Sequence, residues 1–534
     1  MDFLRRHGLL TFTIFAVVVA HWPLLVMNGT YWDDWILRQF VLDGDFAGHF
    51  TLWKELGLPG FAYIHWWIGH FGPSPEVAHN FIACTSLLAI AGLVFAIART
   101  MHCSSYAASI MGITAGVYPA LETTFVFNVS VYLLMLALFL AGTAVALRLH
   151  HLQGGRHIGA RIIAQILFII SFQHHSLLVL YGGCLILLLI QRWNADVPLL
   201  SLAIQFVKRH ADFILLPVIF WVVDTAAVPR VEYYNDLIFD PGIWRTATLG
   251  MISKGLMEQL REIVRTLSAH PWIWIVAVLC AVVAGARGTY AEKSANVDRK
   301  KAWGIFLYGT VLLALAMLPY ILVDKAPRAH GYTTRHGMLL AIPIGILIAG
   351  SVQMIGCRNR WQRLAVWLVL TSAYIGSVLA LWTNYAVWEA RSAKDTALIA
   401  YFMDHPELQN IGTFVIEDGM PITTESYRYY EWGAMMRRAW GKPGHLGMSP
   451  GESFAEISKI GVYHPHWMAW NHLAGYPLSP CTAQLHIAKT TKMNNRQIGW
   501  QYFLHRIKFD EKQMAEFLQS LTQIDVKRDP KTCT

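Results

Sequence analysis

Residues 8–35 read GLLTFTIFAVVVAHWPLLVMNGTYWDDW, and the two parts of that stretch demand different surroundings. The run 8–27 follows a basic start, Arg5-Arg6. It is apolar over the roughly 20 residues that a helix needs to cross a bilayer core. No small-residue cleavage site precedes the polar stretch, so the run reads as a retained signal-anchor rather than a removed signal peptide. Just past it, the adjacent carboxylates Asp33 and Asp34 stand between bulky aromatics in Tyr31-Trp32-Asp33-Asp34-Trp35. A spanning first run would place this pair at one membrane face.

Composition agrees with a membrane chain. Of 534 residues, 55% are hydrophobic and 14% are charged, and the mean hydropathy is +0.39. A soluble domain carries about 25% charged residues. The 21 Trp and 21 Tyr suit the two interfaces of a bilayer, where amphipathic rings collect. The net charge of +9 does not point to nucleic acid. Lys and Arg fall in short clusters between apolar segments, and there is neither a zinc-type Cys spacing nor a basic stripe on a nucleic-acid fold.

After 8–27, apolar segments recur at 80–99, 104–121, 124–147, 162–173, 176–191, 211–228, 271–286, 302–323, 336–356 and 364–384. The fold class is therefore an α-helical polytopic membrane protein with eleven transmembrane helices. The short pair flanking His174-His175 reads either as two broken spans or as one long tilted helix. With a cytoplasmic N-terminus, the cytoplasmic connections hold 17 Lys and Arg and the outer ones hold ten before the C-terminal tail. That is the positive-inside bias. It places Asp33-Asp34, Glu122, His174-His175, the 229–270 and 324–335 loops and everything after 385 on the outer (periplasmic or lumenal) face; the expected membrane is a bacterial inner membrane.

The outer loop 28–79, rich in Trp, Gly and Pro, is too polar to span and is expected to lie along the interface. Leu249–Leu267 alternates apolar and charged residues at helical spacing, as an amphipathic surface helix does. Residues 1–388 form the membrane module. Residues 389–534 contain no long apolar run and read as an extracytoplasmic α+β domain. In it, Thr413–Ile416 is an expected strand, Thr424–Ala439 a helix ending before Gly441, Tyr502–Phe509 a strand, and Asp510 a helix cap. Cys84, Cys184 and Cys280 lie in apolar runs as core thiols, whereas Cys481 and Cys533 lie in the polar tail and would pair in an oxidising compartment. His464, His466 and His472 have a ligand-like spacing but read first as an exposed Pro-containing loop. Asn28-Gly-Thr30 matches a glycosylation sequon, relevant in a eukaryotic secretory pathway.

Adjacent acids at a membrane face do not both hold charge comfortably. One gains proton affinity and suits a general base, or the two bind a cation. An ordinary solvated pair in a helix's first turn would look the same. Other outer-face residues add to them. Glu122 follows Pro119, and Asn128 lies just beyond. The loop from Asp324 to His336 carries three cations, Lys325, Arg328 and Arg335, with His330, Tyr332 and His336; the cluster suits an anion such as phosphate, and a solvated turn in contact with lipid headgroups would look the same.

These elements resemble the GT-C superfamily of polytopic glycosyltransferases, which includes protein mannosyltransferases and bacterial lipopolysaccharide-modifying enzymes. The resemblance covers roughly residues 1–384. It rests on the basic start and first span followed by paired acids, on the Pro119-Ala-Leu-Glu122 element, and on Arg335 before a late span. Gln173-His174-His175 departs from relatives that carry an acid there, and no Trp-Trp-Asp sequon-binding motif is present. The resemblance implies sugar transfer from a polyprenyl-phosphate donor to a glycan, lipid or protein acceptor. Asp33 or Asp34 would be the base, and Glu122 would orient the acceptor or help hold a divalent metal. Lys325, Arg328 and Arg335 would bind the donor phosphate, with His174, His175 and Tyr332 lining the substrate site. The competing reading is a transporter or flippase for a lipid-linked or anionic substrate. The absence of an internal repeat and the position of the acids at the face weigh against it.

Overall fold

The computed structural model describes residues 2–191, 198–227, 248–269, 272–291, 299–322, 331–355, 360–423, 425–451 and 481–528. Among them, seven helices are long and apolar enough to cross a membrane, or eight if the bent pair Ser253–Ala269 and Trp272–Val282 is one span. A small sheet lies near the C-terminus. The chain is a polytopic helical membrane protein. A helix occurs at each of the eleven positions where the sequence shows an apolar run, but Ser105–Val117 and Ser176–Ile190 are short. The helix Leu199–Ala227 bends at His210, where φ is −121°.

The chain divides into two compact units, and helix Arg360–Asp404 gives residues to both. The first comprises Met1–Trp22, Ile82–Thr124 and Val129–Trp382. Its close packing depends on small residues. A Cβ at Gly116 would lie 2.6 Å from a Val17 methyl, and one at Gly112 would lie 2.8 Å from the Ala91 carbonyl. The gap so kept lets the buried His21 ring meet the Gly116 carbonyl at 2.7 Å. Ser104 caps Ser105–Val117 by accepting the Ala107 N–H at 3.2 Å. Helix Thr248–Ala269 is amphipathic as its spacing requires. It buries Gln259, Thr266 and Leu267 and leaves Met257, Leu260 and Val264 exposed.

The second unit comprises Pro23–Phe81, Phe125–Asn128 and Thr383–Thr534. The outer stretch 28–79, expected to lie along the interface, folds into three short helices, Asp34–Asp43, Phe46–Glu55 and Pro59–His70. Strands β1 (Thr413–Asp418), β2 (Leu446–Met448), β3 (Thr482–Lys489) and β4 (Thr522–Arg528) pair in the order β2-β1-β3-β4. The first three are parallel and β4 is antiparallel. Phe414, Ile416, Leu485 and Ile487 point into a core with Phe402, Trp432, Met435, Met436 and Tyr502.

Two local expectations need correction. Of Tyr502–Phe509, expected as a strand, residues 502–508 belong to helix Asn495–Lys508 and Phe509 is its left-handed C-cap. Asn494 accepts the Gln497 N–H at 3.0 Å while Gln497 accepts the Asn494 N–H at 2.9 Å, and that reciprocal cap starts a helix that buries Ile498, Tyr502 and Phe503. The expected helix 424–439 begins instead at Tyr429 and ends at Gly441, whose φ of +72° is a left-handed stop. Asp510 caps its helix as its spacing indicates, accepting the Gln513 N–H at 3.0 Å. Cys481 is disulfide-bonded. Cys533 and the His464, His466 and His472 set lie outside the described residues.

Candidate functional site

The paired acids belong to the second unit, and their two carboxylates have opposite surroundings. Asp34 opens helix Asp34–Asp43 with its side chain fully buried (0% exposed). One oxygen accepts the Phe127 backbone N–H at 3.0 Å, and the other has no hydrogen-bond partner among the described residues. Burial pushes its pKa well above the model-peptide 3.8 against the pull of the Phe127 N–H, and the charges of Asp33 and Glu76 push the same way. Burial thus favours the protonated form of Asp34. Asp33, one residue earlier, is 36% exposed. It accepts a hydrogen bond from the Tyr430 hydroxyl at 2.6 Å, and Arg428 Nη1 lies 3.6 Å from the same oxygen.

The turn that aims the pair is strained. Trp32 has φ of +48° although it is a bulky, almost fully buried residue. Such a backbone costs about 1–3 kcal/mol and persists only where its surroundings fix it. Here the Trp32 N–H donates to Glu431 at 3.1 Å, and its ring packs on Trp388 with centroids 4.4 Å apart. The same Glu431 oxygen accepts from Arg391 at 2.6 Å, and both side chains are buried. Thr30 and Arg38 both donate to Glu76, at 2.9 and 2.6 Å. Sequence spacing could not show Glu431, Tyr430 or Arg428 as partners. The signal available was the dense run of aromatics and charges from Tyr427 to Trp440, which read only as a packed helix.

Among the other candidates, Glu122, Tyr332 and Arg335 lie in the first unit and form a second cluster. Glu122 is buried after the short turn Pro119–Leu121 and accepts the Gly331 N–H at 3.4 Å. Gly331 (φ +80°, ψ −171°) precedes the tight helical segment Tyr332–Leu340. The Arg335 guanidinium lies 3.6 Å over the Tyr332 ring centre, and Thr123 and Thr334 hydroxyls meet at 3.2 Å. Glu122, Tyr332 and Arg335 therefore share one neighbourhood. The Tyr118 hydroxyl donates to Gln259. Lys325 and Arg328 lie outside the described residues.

His174 and His175 sit in the turn before helix Ser176–Ile190. His174 stacks on Tyr132 with centroids 4.6 Å apart, and burial, helped by His175, lowers its pKa to about 3. His175 Nε2 is 3.3 Å from Asp224. Among the described residues, no group of three or more His, Cys, Asp or Glu side chains converges as a metal site. No family model matches the chain, and no curated protein matches it.

Proposed function

We propose that this protein is a membrane glycosyltransferase of the GT-C type that moves a sugar from a polyprenyl-phosphate donor to an acceptor hydroxyl. In this reading it has eleven spans in a bacterial inner membrane, a cytoplasmic N-terminus and an outer C-terminal domain. The observation that supports it is the asymmetry of the acid pair. Asp33 is accessible and oriented by Tyr430, and Asp34 is buried, which favours its protonated form. Of the two, Asp33 is the base. It takes the acceptor proton as the hydroxyl oxygen attacks the anomeric carbon. The bond from that carbon to the phosphate oxygen breaks with its electron pair going to the phosphate, a leaving group that needs no general acid. Asp34 anchors the turn through Phe127. By resemblance, Glu122 and Arg335, with Lys325 and Arg328, serve acceptor and donor-phosphate binding.

The test is transfer of radiolabelled sugar from a lipid-linked donor in membranes carrying Asp33→Asn or Asp34→Asn at matched protein levels. Loss of product in Asp33→Asn, with Asp34→Asn retaining most activity, is the expected result. Full transfer by Asp33→Asn sinks the assignment. Translocation of the lipid-linked substrate by wild type, with no transfer, replaces it with the transporter reading.

A further inference from the structure

The residues next to Asp33 suggest a role for the C-terminal domain that the paired acids alone do not. The Tyr430 hydroxyl donates to Asp33 Oδ1 at 2.6 Å, and Arg428 Nη1 donates to the Tyr430 oxygen at 2.9 Å. The Arg428 backbone is pinned, its N–H donating to Glu431 at 2.9 Å, while its side chain is 50% exposed. Other arginines of this unit hold carboxylates closely: Arg38 on Glu76 at 2.6 Å, Arg391 on Glu431 at 2.6 Å, Arg437 on Asp43 at 2.8 Å and Arg506 on Glu389 at 2.9 Å. Arg428 stands 3.6 Å from Asp33, outside the 2.7–2.9 Å of a charge-assisted hydrogen bond. A guanidinium has five N–H donors in a fork shaped for a phosphate. The bond to Tyr430 uses one of them.

We infer that Arg428 is an anion-binding residue that leaves Asp33 for the phosphate of an incoming donor, so that donor binding uncovers the base. This rests on the transferase reading above. The exchange has a clear electrostatic logic. With Arg428 beside Asp33, a cation 3.6 Å from the carboxylate competes with an approaching hydroxyl. With Arg428 on the phosphate, the cation sits where negative charge develops as the anomeric carbon–oxygen bond breaks, and Asp33 receives the acceptor proton. Tyr430 stays on Oδ1 throughout and is a positioning residue.

The experiment is equilibrium binding of a short-chain polyprenyl monophosphate, and separately of inorganic pyrophosphate, to the full-length protein in nanodiscs. Arg428→Ala is expected to weaken polyprenyl phosphate binding at least tenfold and Arg428→Lys by less. Asp33→Asn should bind as well as wild type or more tightly, and Lys512→Ala, an exposed control, should be unchanged. Tyr430→Phe should bind normally and lose kcat without a change in KM. Wild-type affinity in Arg428→Ala overturns the inference. Arg428-dependent binding of pyrophosphate without binding of the lipid phosphate keeps the anion site and removes the polyprenyl donor. Binding of neither probe by wild type overturns both.

Discussion

The Trp32 backbone N–H and the Glu431 carboxylate, 399 residues apart in sequence, meet at 3.1 Å with both residues buried. Through this contact a residue of the C-terminal domain holds a left-handed turn that aims the paired acids. Glu431 also neutralises Arg391, which is 1% exposed. Removing the carboxylate takes away the ion-pair partner of this buried guanidinium, a loss of about 3–5 kcal/mol. Glu431→Ala is expected to lower the thermal unfolding midpoint in detergent markedly. Glu431→Gln, which keeps an acceptor for Trp32, should fall between it and wild type. An unchanged midpoint in Glu431→Ala would show that the turn is held by other contacts.

Asp34 carries a pH signature of its own. Its folded pKa lies well above 3.8 because of burial, so the folded state keeps its proton where the unfolded state has lost it. Stability from this group is full below about 3.8 and falls as pH rises toward the folded value, by about 1.4 kcal/mol per pH unit. Asp34→Asn, neutral at every pH, removes that slope. Denaturation midpoints from pH 4 upward should decline less in the variant than in wild type. Parallel curves would mean that Asp34 is ionised in the fold.

The membrane helices were legible because bilayer thickness dictates a length of apolar chain, and runs such as 80–99 and 302–323 satisfy it with no help from elsewhere. The acid pair was legible for a similar reason, since adjacency needs no long-range knowledge. What spacing could not supply was the partner of each acid. Phe127, Tyr430 and Arg428 are distant in sequence, and nothing in the local pattern distinguishes Asp33 from Asp34. The error at Tyr502–Phe509 has a local cause. Tyr502 and Phe503 favour strands by propensity, but the reciprocal cap between Asn494 and Gln497, eight residues earlier and readable in the sequence, starts a helix that carries them.

The three helices after the acid pair contain a second pH-dependent element, opposite in sign. His49 and His65 are buried among aromatics, with His65 stacked on Trp53 at 4.9 Å. Burial lowers His49 to about 4 against the pull of the Ala62 backbone and of Asp45, and it lowers His65 well below 6.5, helped by the neighbouring imidazoles. The unfolded chain therefore takes up protons that the fold refuses. Stability falls as pH drops below about 6.5 toward 4. Acid unfolding of an Asp34→Asn background isolates this slope, and adding His49→Phe should flatten it. A slope unchanged by His49→Phe would assign the acid sensitivity to other groups.

Gly331 decides whether Glu122 and Arg335 stay in one neighbourhood. Its φ of +80° with ψ of −171° belongs to a region that glycine alone enters readily, and its N–H reaches Glu122 at 3.4 Å. Immediately after it, the Tyr332 ring lies under the Arg335 guanidinium at 3.6 Å, a contact worth about 0.5–2 kcal/mol. Gly331→Ala adds a Cβ that this backbone does not accept, at a cost of about 1–3 kcal/mol, and the turn relaxes to a conformation that no longer presents its N–H to Glu122. Sugar transfer should fall at least tenfold in Gly331→Ala and in Arg335→Lys, which keeps the charge but not the planar stacking face. Tyr332→Phe, which keeps the ring under Arg335, should retain most activity, and Tyr332→Ala should not. Because each variant leaves the paired acids untouched, wild-type transfer in both Gly331→Ala and Arg335→Lys would remove this cluster from the reaction and leave the chemistry to the residues around Asp33.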